Sequence, residues 1–331
     1  MRTTVGLAIA ALLPTHLAAQ AKGSYALRGE RPTIYNLAGT VRVEPGTGDA
    51  VVVEVSPGGA DAAGLRVAQG PLRGRETLRV IYPGDRIRYP GSGAGSNTSL
   101  RVRNDGTFGD ADGNDDDSGR RVRISNAGDE AWADLRIAVP AGHRMALRLA
   151  VGTVTLSNVD GRIEVSAQAG PISATGGRGE LGLETGSGGI EVTRFQGEHL
   201  AAETGSGDVS ATGLEAREVS IETGSGDVRL SEIKAPALSV ETGSGGVTVD
   251  LRSDVETLTV ETGSGNVSLT APESLGARLH IETGSGDIDS DFPVNVTQTA
   301  RDQLTGTVGN GRGTISVETG SGSVRLLKAK G

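Results

Sequence analysis

Ile221-Glu222-Thr223-Gly224-Ser225-Gly226-Asp227-Val228 is one statement of a motif whose Glu-Thr-Gly-Ser-Gly core occurs seven times, starting at Glu184, Glu203, Glu222, Glu241, Glu261, Glu282 and Glu318. The first six copies are spaced 19, 19, 19, 20 and 21 residues apart, the period of one turn of a solenoid. Around each glutamate the aliphatic positions repeat as columns. Three residues before stand Leu181, Leu200, Val219, Leu238, Leu258, Leu279 and Ile315, and six after stand Ile190, Val209, Val228, Val247, Val267, Ile288 and Val324. Columns this regular predict coils stacked one on the next with aliphatic ladders pointing inward.

Within one coil, Val240-Glu241-Thr242 reads in, out, in, and Val247-Thr248-Val249 does the same after the Gly243-Ser244-Gly245 break, so each coil holds short strands joined by tight corners. Glycine accepts positive φ at such corners, and serine bonds the local backbone. Thr242 and its equivalents are expected to face inward, with hydroxyls pairing up and down the stack. Worn copies of the frame at Val165–Ile172 and Leu149–Val154 start the stack near residue 140. Glu282 and Glu318 lie 36 residues apart, with Leu304–Gly309 expected as a degenerate coil between them. The fold class is therefore all-β, a single-stranded parallel β-helix of about ten coils of 18–21 residues, about 45–50 Å long at about 4.8 Å per coil.

Three segments follow. Residues 1–21 carry Arg2, an apolar run from Val5 to Leu13 and Ala18-Ala19-Gln20-Ala21, the order of a secretory signal peptide. Residues 22–140 are β-rich but not repetitive and form a cap over the first edge of the solenoid, with an acidic loop at 104–119; residues 141–331 form the repeat domain. The chain has no cysteine and a formal net charge of −9, to which the leader contributes only Arg2. Lysine and arginine read as scattered rather than patched, and aromatics make up 2% of residues. These features argue against nucleic acid as a partner, and no apolar run suits membrane insertion. The expected location is exported: periplasmic, outer-surface-associated or secreted.

Several residue sets invite chemistry. The outward glutamate column would place carboxylates about 4.8 Å apart, repelling by about 1 kcal/mol per pair in water. A cation would relieve it, but a solvated stripe eased by Arg178, Arg194, Arg217 and Arg229 is the plainer reading. Asp208, Asp227 and Asp287 follow Gly-Ser-Gly directly, unlike the calcium-binding nonapeptide of β-rolls, where a residue intervenes. Asp110, Asp112, Asn114 and Asp116 alternate as calcium ligands do, yet Asp115 and Arg121 occupy the glycine and glutamate positions of an EF-hand. After export only His143, His199 and His280 remain, far apart, and no zinc, nucleophile-elbow or phosphate-loop motif occurs. The irregular stretch from Asp289 to Thr314, with Asp291, Arg301 and Asp302, reads as an insertion or end cap. No catalytic, cofactor-binding or metal residue is assigned, and the chain reads as no enzyme.

The serial Glu-Thr-Gly-Ser-Gly-Asp-Val units, Leu135-Arg136-Ile137-Ala138-Val139-Pro140-Ala141-Gly142 and Leu304-Thr305-Gly306-Thr307-Val308-Gly309-Asn310-Gly311 resemble a family of bacterial exported putative adhesins, similar to the head domain of auto-transporter adhesins. The resemblance spans Ile34 to Leu327 and implies a right-handed β-helix without catalytic residues. It implies an adhesin or structural element of the envelope, with an envelope protein or glycan as partner. A glycan-active β-helical lyase or hydrolase and a periplasmic envelope-stress accessory are the alternatives. N-terminal sequencing of exported protein should find Gln20, Ala21 or Lys22 first, because small residues at Ala19 and Ala21 lie just beyond the apolar run; an intact Met1 outside the cytoplasm would contradict export.

Overall fold

A computed structural model describes residues 19–20, 22–92, 97–109 and 119–329. Residues 1–18 and 21 of the expected leader, and residues 110–118 of the acidic loop with its candidate calcium ligands, lie outside them. Among the described residues the chain is all-β, dominated by one 27-stranded, mostly parallel sheet, and no helix among them is long and apolar enough to cross a membrane.

From Thr33–Ala38 onward, ten strands among the described residues lie one above another on the first face of the stack. They are Thr33–Ala38, His143–Val151, Asp160–Ala169, Arg178–Thr185, Gln196–Thr204, the second half of Val209–Thr223, Ala237–Thr242, Thr257–Thr262, Gly313–Thr319 and Ala277–Thr283. A second face stacks in step, from Val41–Gly46 through Val247–Leu251 to Ile288–Ser290. The aliphatic columns point inward: Leu238, Val240 and Val247 are each 2% exposed or less, and burying each such side chain contributes about 1.5–3 kcal/mol.

The corner between the faces shows what the repeated letters do. Each threonine is buried, and its hydroxyl donates to a glycine carbonyl of the neighbouring rung: Thr204 to Gly188 at 2.9 Å, Thr223 to Gly207 at 3.0 Å, Thr242 to Gly226 at 3.2 Å. The hydroxyls bond backbone rather than one another, which corrects the expectation. The first glycine's N–H donates to the previous rung's threonine carbonyl, as Gly243 does to Thr223. A Cβ on Gly243 would lie 2.5 Å from the Gly224 carbonyl oxygen. The second glycine is closer still, with a Cβ on Gly245 2.0 Å from the Gly226 carbonyl oxygen, and also has positive φ, +152° at Gly245. Clearance requires the first glycine, and clearance with conformation the second. Ser206, Ser225 and Ser244 between them are exposed.

Stack order departs from chain order at both ends. Strand Gly313–Thr319 lies between Thr257–Thr262 and Ala277–Thr283, with Glu318 opposite both Glu261 and Glu282. Likewise Val324–Lys328 lies between Val267–Ala271 and Ile288–Ser290. The last coil thus threads back into a place left open for it. Leu304–Gly309 is not the expected degenerate coil: Gln303–Val308 pairs antiparallel with both Ala277–Thr283 and Asn295–Thr299, covering the final edge as a hairpin. At the other end the stack begins earlier in the chain than residue 140, because Val41–Gly46 lies between Trp132–Pro140 and Val154–Ser157. Arg75–Ile81 extends the first face by one strand, parallel to Thr33–Ala38, and the antiparallel strands Gly23–Leu27, Val51–Gly58 and Arg66–Leu72 close that end. Beneath them the Tyr82 hydroxyl donates to Asn36 Oδ1 at 2.8 Å and accepts the Ala38 N–H at 3.2 Å, and burial raises its pKa far above the usual tyrosine range.

A separate four-stranded sheet comprises Arg86–Arg88, Thr98–Val102, Arg120–Ser125 and Asp129–Glu130. Its inner face buries Ile87, Val102, Val122 and Ile124. Its outer face carries the exposed Arg86, Arg88, Arg101, Arg121 and Arg123. The arginines are therefore not all scattered; strand alternation gathers five from segments far apart in sequence.

Introduced cysteines can test the threaded coil, since the chain has none of its own. Thr259→Cys with Ser316→Cys, opposite each other on adjacent strands, should form a disulfide under mild oxidation. Thr259→Cys with His280→Cys should not, because the intervening strand sets them about 9.6 Å apart, beyond disulfide reach. The reverse result would show coils stacked in chain order.

Candidate functional site

The glutamates form one unbroken file in the order Glu184, Glu203, Glu222, Glu241, Glu261, Glu318, Glu282, each directly opposite the next. The first six make no ion pair among the described residues, whereas Glu282 meets His280 Nε2 at 3.4 Å and accepts from Gln303 Nε2. The expected arginine relief is not present. Arg229 instead bridges Asp208 and Asp227 at 3.3 and 2.6 Å, and Arg178 and Arg194 lie at another corner. Partial burial and the charges of Glu222 and Glu184 raise the pKa of Glu203 above the usual carboxylate range. Among the described residues no group of three or more acidic or histidine side chains is placed to hold a metal.

The residue after Gly-Ser-Gly has a structural role that the sequence reading missed. Asp208 Oδ1 accepts the Asp227 N–H at 2.9 Å, Asp227 Oδ1 accepts the Gly246 N–H at 2.8 Å, and Asn266 Oδ1 accepts the Ser323 N–H at 2.8 Å. Each side chain caps the start of a strand in the next rung. The other residues singled out do not converge. Asp302 sits beside Glu282 and Glu318 in a cleft of about 370 Å³, while Asp291 accepts the Lys328 N–H on the second face, and Asp289 lies opposite Arg325 there. His143 lies near the Ala141 carbonyl and His199 near Glu218, each at 3.4 Å.

One corner breaks the repeat. Where the second face turns back to the first, Asn158, Gly176, Arg194, Gly213 and Glu232 occupy successive rungs, all in the left-handed region with φ of 52°, 67°, 56°, 68° and 59°. The rungs are pinned by N–H bonds from Asn158 to Thr175, Gly176 to Thr193 and Arg194 to Thr212. Glycine adopts this conformation freely; Arg194 and Glu232 do so at about 1–2 kcal/mol each. The glycine rungs lack side chains and leave two open notches in the edge. One, of about 490 Å³, is lined by Asn158, Asp160, Gly176, Gly177, Arg178, Arg194 and Gln196. The other, of about 310 Å³, is lined by Gln196, Gly213, Leu214, Glu215, Glu232, Lys234 and Arg252. Gln196 lines both, so the two notches adjoin at the Arg194 rung as parts of one interrupted polar groove along the edge. Arg252 pairs with Glu232 at 3.4 Å and Asp250 at 3.3 Å, while Arg178 and Arg194 make no ion pair among the described residues. Two guanidinium groups with amide and carboxylate neighbours can hold an acid group bidentately and hydroxyls beside it.

The glutamate file generates a pH prediction. Because the folded state raises the Glu203 pKa, protonated Glu203 favours folding, and that contribution is lost as pH rises through the folded pKa. Glu203→Gln should therefore raise the melting temperature slightly at pH 7, with an advantage that shrinks as pH falls through the carboxylate range. A constant or growing advantage would contradict the assignment.

Comparison with known proteins bears on fold and family. No curated protein matches the chain. Among solved structures, a putative cell adhesion protein from Clostridium sporogenes ATCC 15579 is 10% identical, with a TM-score of 0.23 over 93% of this chain and 99% of that one. Residues 95–327 match the family described as Toastrack DUF4097, more than half of the sequence, and the chain belongs to that family.

Proposed function

We propose that this is an exported, non-enzymatic protein serving as a rigid binding or structural element of the cell envelope. In this reading it is a single-stranded, right-handed parallel β-helix whose corner groove receives an acid-bearing envelope glycan. One observation carries the reading: Arg194 is held at φ 56°, in a column where glycine stands unstrained one rung to either side at Gly176 and Gly213. Asn158 and Glu232 hold the same conformation in this column, and strain kept at non-glycine rungs where glycine would relieve it supports a use for the side chains. Arg194 and Arg178 flank the larger notch, and two adjoining notches along one edge suit an extended polymer more than a compact molecule. The cleft gathering Glu282, Asp302 and Glu318 favours a second reading, glycan turnover by paired carboxylates.

Arg194→Gly separates binding from folding. The variant should be as stable as the parent or more stable by up to about 1 kcal/mol, since the left-handed strain is relieved. Its retention on a uronate-bearing glycan array should fall at least about tenfold, with Arg178→Gln behaving likewise. Undiminished retention would overturn the groove assignment. Release of reducing ends that disappears in Asp302→Ala would replace the binding reading with the enzymatic one.

A further inference from the structure

The chain presents two surfaces of opposite charge, each built on strand spacing. On the outer face of the four-stranded sheet, Arg123 stands directly opposite Arg86 and Arg121 directly opposite Arg101. Like charges facing each other across a strand pair oppose sheet formation. Arg86, Arg121 and Arg123 are exposed and make no ion pair among the described residues, whereas Arg88 meets Glu130 at 3.1 Å. The glutamate file from Glu184 to Glu318 likewise has no cationic partner among the described residues, and exposed serines and glycines border it. The opposed Arg86 and Arg123 and the neighbouring file glutamates thus repel with no ion pair among the described residues to relieve them.

We infer that the arginine face of one copy docks on the glutamate file of a second copy. Sign and spacing both fit. Arg86 and Arg123 are one inter-strand step apart, as are Arg101 and Arg121, and consecutive file glutamates are separated by the same step of about 4.8 Å. The Arg86–Arg123 pair can therefore meet two successive carboxylates, with Arg121 on the same face beside it, and guanidinium groups bind carboxylates in a planar fork. The contact relieves both repulsions together. A single exposed ion pair contributes little; the stabilisation comes from several formed in register. Because the two surfaces differ, the contact is heterologous and propagates into an open chain of molecules unless its rotation closes a ring. The assembly does not depend on the corner groove, which stays free along the edge.

Sedimentation equilibrium of the full chain tests the inference. With a net charge of −9, whole-molecule repulsion opposes association at very low salt, and screening removes the pairs at high salt. Mass should therefore rise with concentration near about 50–150 mM NaCl and return to the monomer value by about 500 mM. Arg86→Glu with Arg123→Glu, or Glu222→Lys with Glu241→Lys, should each weaken association at least about tenfold, and an equimolar mixture of the two reversed proteins should recover it. If a reversed protein does not fold, Arg86→Gln with Arg123→Gln and Glu222→Gln with Glu241→Gln replace the pairs, each again losing association. A parent chain that stays monomeric to about 1 mM, association that survives either change, or a folded mixture that fails to recover would overturn the proposal.

Discussion

The bond from a buried threonine hydroxyl to a glycine carbonyl one rung away is the contact on which the rest of the stack depends. It requires the backbones of neighbouring corners to approach so closely that a Cβ on the first glycine would lie 2.4–2.6 Å from a carbonyl oxygen in rung after rung. A typical hydrogen bond contributes about 1 kcal/mol net, and an unpaired buried hydroxyl costs about 1–3 kcal/mol. The bond therefore specifies register more than it adds stability. Once the corner is fixed, Val240 must lie over Ile221 and Val247 over Val228, and the core follows.

The glutamate file is a by-product of the same geometry. A residue that precedes the buried threonine must point outward, and any outward residue repeated in every turn must align. The opposite corner lacks such uniformity. Its backbone conformation is constant through Asn158, Gly176, Arg194, Gly213 and Glu232, but the side chains are not. One corner is thus devoted to holding the rungs together, and the other is free to vary and present chemistry.

The sequence made the strand alternation, the inward columns and the stack legible because each rests on local periodicity. It did not reveal which coil lies beside which. The copies at Glu261, Glu282 and Glu318 offer interchangeable surfaces, so the letters alone favour chain order. In the fold, Gly313–Thr319 instead takes the place between Thr257–Thr262 and Ala277–Thr283. The arginine face was hidden for a related reason: Arg86, Arg101, Arg121 and Arg123 look dispersed until pairing brings their strands together. The groove was missed because Asn158, Arg194 and Glu232 share a backbone conformation and no common letter. The one available signal was the recurring Ser/Thr-X-Gly/apolar step at 157–159, 175–177, 193–195, 212–214 and 231–233.

The threaded terminal coil also changes how the molecule bears a mechanical load. A coil at the end of a solenoid peels away one hydrogen bond at a time when its free end is pulled. Here Gly313–Lys328 is bonded on both sides, to Thr257–Ala271 and to Ala277–Ser290. Tension applied at Lys328 therefore acts on two ladders at once and in shear along the strands, so many bonds must yield together. The end of the chain that would be weakest in a simple stack is placed among its most resistant elements.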